Sequence, residues 1–152
     1  MGWRFFEDGL NKIFRSKGII IADLLYTKGK SMRRAATQFF VLEAFEKATR
    51  KLKPPGQEKV LMSVKQFEEQ WKQSESDADL SPGFDLQPLE HRSGQYRVVE
   101  IRAGRDWRVA LMIWNDVSQA YWVHAWRKSG RKNPQDYDTA RERAKRLWQR
   151  KG

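Results

Sequence analysis

The chain contains no cysteine, which excludes disulfides, thiolate metal sites and cysteine nucleophiles. That absence suits a reducing cytosol, and a cytoplasmic location is the expectation. Histidine is nearly as scarce: His91 and His124 are the only two, too few without cysteine for an ordinary zinc site. No glycine loop of either common phosphate-cradling type occurs, and no Ser-His-acid constellation can be picked out. No metal and no cofactor are expected. Long hydrophobic runs are missing as well. The most apolar one, Ile19 to Tyr26, carries Asp23 and is far shorter than a bilayer span. The cationic, apolar N-terminus lacks a clear hydrophobic region followed by a small-residue cleavage site, so neither a signal peptide nor a membrane is expected.

Positive charge, by contrast, is abundant. Thirty Lys and Arg face nineteen Asp and Glu, a net +11 over 152 residues, which points to a polyanion, an anionic surface or an acidic protein as partner. The distribution is uneven. From Arg127 to Gly152 there are ten basic residues against three acidic ones, whereas Gln66 to Glu90 is acidic. Apolar content of 39% and aromatic content of 12% suffice for one modest core and argue against wholesale disorder. Residues 1–31 form an N-terminal extension or arm, ending in the linker-like Thr27-Lys28-Gly29-Lys30-Ser31, and residues 32–152 form one domain.

The stretch from Tyr96 to Lys132 organises that domain. Val98, Val99 and Ile101 precede a turn at Ala103-Gly104-Arg105-Asp106. Val109, Leu111 and Ile113 then alternate with Arg108, Ala110 and Met112, the period-2 signature of a strand. After Asn115-Asp116, Ala120 to Trp126 is rich in aromatic and β-branched residues. Short connections make this an antiparallel meander, since parallel neighbours need a long crossover. Upstream, Thr37 to Glu43 reads as a first strand, and Phe45, Ala48 and Leu52 continue at helical spacing to a corner at Pro54-Pro55-Gly56. Val60, Leu61, Val64, Phe67 and Trp71 mark one face of a helix from about Gln57 to Lys72. Ser74 to Pro88 reads as a surface loop. A last helix follows Pro134 and buries Ala140, Ala144, Leu147 and Trp148. The expected fold class is α+β: an antiparallel sheet with a helical hairpin on one face and a C-terminal helix.

Cations on or beside a rigid sheet are the main functional clue: Arg102, Arg108, Arg127, Lys128, Arg131 and Lys132, with His124 and Tyr137 nearby. Such a set suits RNA cleavage in which the substrate's own 2′-hydroxyl attacks the adjacent phosphorus. The enzyme then supplies a base, an acid for the leaving 5′-oxygen, and fixed cations facing the phosphorane, a role that suits arginine's planar fork. His124 is a candidate base or acid because its unperturbed pKa lies near neutrality. Tyr137 is another, if neighbouring cations lower its pKa. Trp107, Trp114, Trp122 and Trp126 include candidates for stacking on unpaired bases. Each has a blander reading: Arg102 and Arg108 paired with Glu100 and Asp106, His124 a hydrogen-bonded structural histidine, Tyr137 a packing residue, most tryptophans core.

EIRAGRDWRVALMIW, YWVHAWRKSGRKNP and DYDTARERAKRL, taken in that order, resemble the RelE/ParE superfamily of bacterial toxins, especially its HigB-like branch. The family's glutamate-leucine-arginine strand falls on Glu100-Ile101-Arg102 and its aromatic-arginine strand on Trp107-Arg108. Its histidine strand falls on His124-Ala125-Trp126, and its basic loop on Arg127 to Pro134. The resemblance covers about Thr37 to Arg150 and implies a microbial-RNase-like fold. It also implies an mRNA interferase toxin, a ribosome-dependent endoribonuclease cutting mRNA in the A site and neutralised by a cognate antitoxin. In it Arg108 matches the arginine that stabilises the transition state, Lys128 a second functional cation, and Tyr137 a tyrosine used in acid–base chemistry. Arg102 matches a phosphate contact. Nuclease members often carry lysines on the strand before the turn, where this chain has Val98 and Glu100, and the ParE branch poisons DNA gyrase without cutting RNA. A basic nucleic-acid-binding module without catalysis is the third alternative.

Overall fold

The computed structural model describes residues 32–130 and 133–151. The expected N-terminal arm, Arg131 and Lys132 lie outside the described residues. A short helix α1 (Met32–Ala35) leads into strand β1 (Gln38–Val41), helix α2 (Glu43–Arg50) and helix α3 (Pro54–Gln73). Four strands follow, β2 (Gln87–Arg92), β3 (Tyr96–Ala103), β4 (Trp107–Trp114) and β5 (Gln119–Arg127), and helix α4 (Pro134–Lys151) closes the chain. The architecture is α+β, built on one five-stranded sheet in the order β1-β5-β4-β3-β2.

Three features differ from the sequence expectation. The sheet is mixed, because β1 runs parallel to β5, pairing Gln38 with Gln119 through Val41 with Trp122. The short-connection argument applies to consecutive strands, whereas nearly eighty residues separate β1 from β5. The supposed surface loop ends in a strand, so the meander has four members. β2 escaped notice because Pro88 argues against a strand interior. It is tolerated here on an edge strand, beside a register shift between Pro88 and Glu90. Finally, Pro54-Pro55-Gly56 is not a corner but the first turn of α3, where proline's missing N–H costs nothing and its fixed φ suits a helix.

Both faces of the sheet are covered. Val99, Ile101, Val109, Leu111, Ile113 and Trp122 pack against Phe45 of α2 and Val60, Val64, Phe67 and Trp71 of α3. Trp122 is fully buried there, edge-on to Phe67 at 5.8 Å, and its indole N–H donates to Glu68 Oε2 at 3.0 Å. Tyr96, Val98, Ala110, Met112 and Val123 pack against Ala140, Ala144 and Leu147 of α4 on the other face. Small alanines let α4 lie close to the sheet. Asp77 ties the linking segment down: Arg97 donates to both its oxygens at 2.8 and 3.0 Å and Arg34 adds a third bond at 2.9 Å. The Arg97 bonds, and after them that of Arg34, hold the pKa of its carboxyl down to about 2 against the opposing effect of burial. Among the described residues no helix is long and apolar enough to cross a membrane.

One irregularity in β5 places the polar residues. Ala110 pairs with His124, yet Leu111 pairs with Trp122, so Val123 is an extra residue in a bulge. The bulge lets Trp122 face the helical pair while Val123 and Trp126 face α4.

Candidate functional site

Where α4 begins, the apolar lining of its face gives way to charge. Arg108, near the start of β4, is only 5% exposed, and Glu100 of β3 is 7% exposed. In the β3–β4 register Glu100 stands opposite Ala110 and Arg102 opposite Arg108. Glu100 and Arg108 are therefore diagonal neighbours on one face, within reach for long side chains. Tyr137 arrives from the first turn of α4, its amide bonded to Asn133 O at 3.0 Å and its ring edge-on to Trp126 at 6.1 Å. The Glu100 carboxylate lies near enough to act on the Tyr137 hydroxyl. Three strands and one helix thus bring Glu100, Arg108, Trp126 and Tyr137 together.

Electrostatics assigns different characters to these groups. Burial, more than any neighbour, lowers the Arg108 pKa; Glu100 opposes that effect and Arg102 reinforces it. Among the described residues no ion pair joins Glu100 to Arg108. The Arg108 Nη1 instead donates to the carbonyls of Trp107 at 2.8 Å and Arg105 at 3.3 Å, which fixes the guanidinium over the β3–β4 turn. Tyr137 corrects the sequence expectation. Its pKa is raised, first by burial and then by the charge and hydrogen bond of Glu100, which together outweigh the cation Arg108. A phenol so raised keeps its proton at neutral pH and is not available as a base.

The other expected residues fall into place unevenly. Arg102 is exposed and bends back, its Nε 3.4 Å from Gly104 O. It forms no ion pair with Glu100, nor Arg108 with Asp106, among the described residues. Arg127 and Lys128 are exposed at the end of β5, and the Lys128 amide donates to Asp106 O at 2.7 Å. Asn133 anchors the basic loop: its amide nitrogen donates to Ser129 O at 2.6 Å while its oxygen accepts from Trp126 Nε1 at 3.1 Å. Trp126 is 4% exposed and Trp122 fully buried, so neither is a stacking platform; Trp107 and Trp114 are half-buried.

His124 has both ring nitrogens engaged. Nε2 meets Asp136 Oδ1 at 2.9 Å, and Nδ1 meets Arg143 Nη1 at 3.0 Å. A guanidinium can only donate, so Nδ1 accepts and Nε2–H donates to the carboxylate. The ring is neutral, and burial pushes its pKa down, opposed by Asp136 and reinforced by Arg143. It stacks on Trp126 at 5.2 Å.

The residue sequence reasoning undervalued is Glu100, which it offered as a salt-bridge partner and as part of a strand match but gave no chemical role. It is a buried carboxylate diagonal to Arg108 and close to Tyr137. Its signal was the period-2 pattern, which sets Glu100, Arg102 and Arg108 on one face. Among the described residues no three His, Cys, Asp or Glu side chains cluster as metal ligands. Compared with known proteins, the chain matches no family model, no curated protein and no solved structure.

Proposed function

We propose that this protein is a metal-independent endoribonuclease, acting on mRNA in the ribosomal A site as the toxin of a toxin–antitoxin pair. The observation that carries the chemistry is the cluster of Glu100, Arg108 and Tyr137. In this reading Glu100 accepts the proton of the substrate's 2′-hydroxyl as its oxygen attacks phosphorus. Arg108 and Arg102 face the equatorial oxygens of the phosphorane, and Tyr137 gives its proton to the departing 5′-oxygen. The products are a 2′,3′-cyclic phosphate and a 5′-hydroxyl. The Tyr137–Glu100 hydrogen bond then returns the proton from the carboxylic acid to the phenolate, resetting both groups without a net change. One further fact supports an anionic ligand. Arg102 and Arg108 stand directly opposite each other, a destabilising arrangement for like charges that a bound phosphate would relieve. His124 in this reading positions α4 and does no proton transfer. The ribosome, the A-site target and the antitoxin rest on the family resemblance alone.

Primer extension on a cellular mRNA after induction, beside an Arg108→Ala control, tests the proposal. Cuts at codon-spaced positions that vanish in the variant and require translation are the expected result. Intact mRNA with arrested growth would replace this reading with gyrase-type toxicity; intact mRNA with normal growth would leave a basic binding module.

A further inference from the structure

The sheet edge holds a second basic feature that the cleavage chemistry does not use. β1 pairs only with Gln119–Trp122, so among the described residues no strand borders β5 on that side beyond Trp122. The space is instead a trough of about 450 Å³ between α2 and α4, floored by His124 to Arg127. Its charged lining is lopsided: Lys47, Lys51, Arg127 and Arg143 against Asp136. Ala44 and Ala48 of α2, with Leu52 just past its end, form one wall, leaving Lys47 and Lys51, four residues apart, as its tall side chains. Lys51 stands near enough to His124 to disfavour its protonation.

The charges are poorly neutralised from within. Asp136 is committed to His124. Lys47 meets Glu43 at 3.2 Å, but both are largely exposed, and such a surface pair is worth little. Arg143 uses one nitrogen, Nη1, for both Val123 O at 2.9 Å and His124 Nδ1. Among the described residues Nε and Nη2 have no further acceptor. Trp126 belongs to both places, lining the trough and touching Tyr137. From Arg102 on β3 to β5 is two strand spacings, roughly 10 Å, a few nucleotides of single strand.

We propose that this trough is a second phosphate-binding site, which holds the backbone of single-stranded RNA a few nucleotides from the phosphate at Arg102 and Arg108. The proposal rests on the RNA reading above for its ligand but not on catalysis. Its wall of alanines and leucine offers no donors for reading bases, so the contact is with phosphate and blind to sequence.

The test measures binding of a 2′-O-methyl RNA oligonucleotide, which lacks the attacking hydroxyl, across a salt series. The wild-type protein, Lys47→Ala/Lys51→Ala and Lys47→Arg/Lys51→Arg are compared, with thermal melts confirming folding. Removing one lysine–phosphate interaction should reduce the slope of log K against log salt by about 0.7 for a single strand. The alanine pair should therefore lower it by roughly 1.4, and the arginine pair should keep it. An unchanged slope in the alanine pair overturns the trough, even if Arg108-dependent cleavage is seen. A reduced slope upholds it, even if no cleavage is found and the nuclease reading falls.

Discussion

Replacing His124 by leucine tests how the start of α4 is held. The ring joins two elements: β5, on which it sits, and α4, through Asp136 in its first turn and Arg143 two turns on. Leucine keeps the bulk and loses both hydrogen bonds. Hydrogen bonds to charged groups contribute about 1.5–3 kcal/mol each. Asp136 is 32% exposed at its side chain and recovers water, so the lower end applies to it, and Arg143 keeps its bond to Val123 O. A net loss of about 2–4 kcal/mol follows, which for a domain of this size is roughly 8–15 °C in Tm. The pH dependence carries a sign. Because the folded-state pKa lies below the ordinary 6.5, the unfolded chain binds the proton first. Wild-type stability is then level above about pH 6.5 with respect to this group, and falls as pH drops from there through the folded pKa. His124→Leu should be less stable at pH 8 and should lose that slope between pH 6.5 and 5. Urea melts at pH 8, 6.5 and 5 measure both effects. Equal stability at pH 8, or an identical slope, would refute the assignment of His124 as a neutral bridge.

The proposed cleavage site yields a second prediction: Glu100→Gln and Tyr137→Phe should each slow cleavage about 10²–10⁴-fold while leaving RNA affinity within a few-fold. Because the two share one proton circuit, the double variant should be little worse than either single one; multiplied losses in a single-turnover assay would argue against the circuit. Gly56 lies in the first turn of α3 under the Trp107 ring, where an added Cβ would stand 2.8 Å from Cε2. Helix propensity alone favours Gly56→Ala by ~1 kcal/mol, yet overpacking should win and lower stability by about 1–3 kcal/mol, so a raised Tm would show that Trp107 moves freely. Arg102→Thr removes one of two opposed like charges; stability should hold or rise while the salt slope of RNA binding falls by about 0.7, and an unaltered slope would remove Arg102 from the phosphate site.

What the sequence disclosed follows from how each signal is encoded. β3, β4 and β5 were legible because their residues alternate and their turns are short, and α4 because Ala140, Ala144 and Leu147 recur at helical spacing. β2 was not, since an edge strand needs only one buried residue, Leu89, and tolerates Pro88. The parallel pairing of β1 was invisible for another reason: non-consecutive strands carry no turn to set their direction. At the site, Arg102 and Arg108 were found by residue type and position. The character of Tyr137 was not, because its pKa depends on burial and on Glu100, a residue 37 positions away in the chain. Trp122 and Trp126 are core, as the blander reading had it, and the bulge at Val123 sets them on opposite faces of the sheet.

The placement of polar groups also bears on why the site stands where it does. Along most of α4 the helix meets the sheet through alanine and leucine, and nothing there asks for charge. At its first turn the sheet instead presents Glu100, Arg108 and His124, all under 10% exposed. Burying such groups costs stability that aliphatic residues at the same positions would recover. His124 and Asp136 explain themselves, as a tie between β5 and α4. Glu100 and Arg108 do not, because no ion pair closes between them among the described residues and an arginine stands directly opposite Arg108. Local rules are broken most often where a protein acts on something else. Three strands and one helix hold these groups together, and under the proposed reading a site aimed at a transition state is what their cost in stability serves.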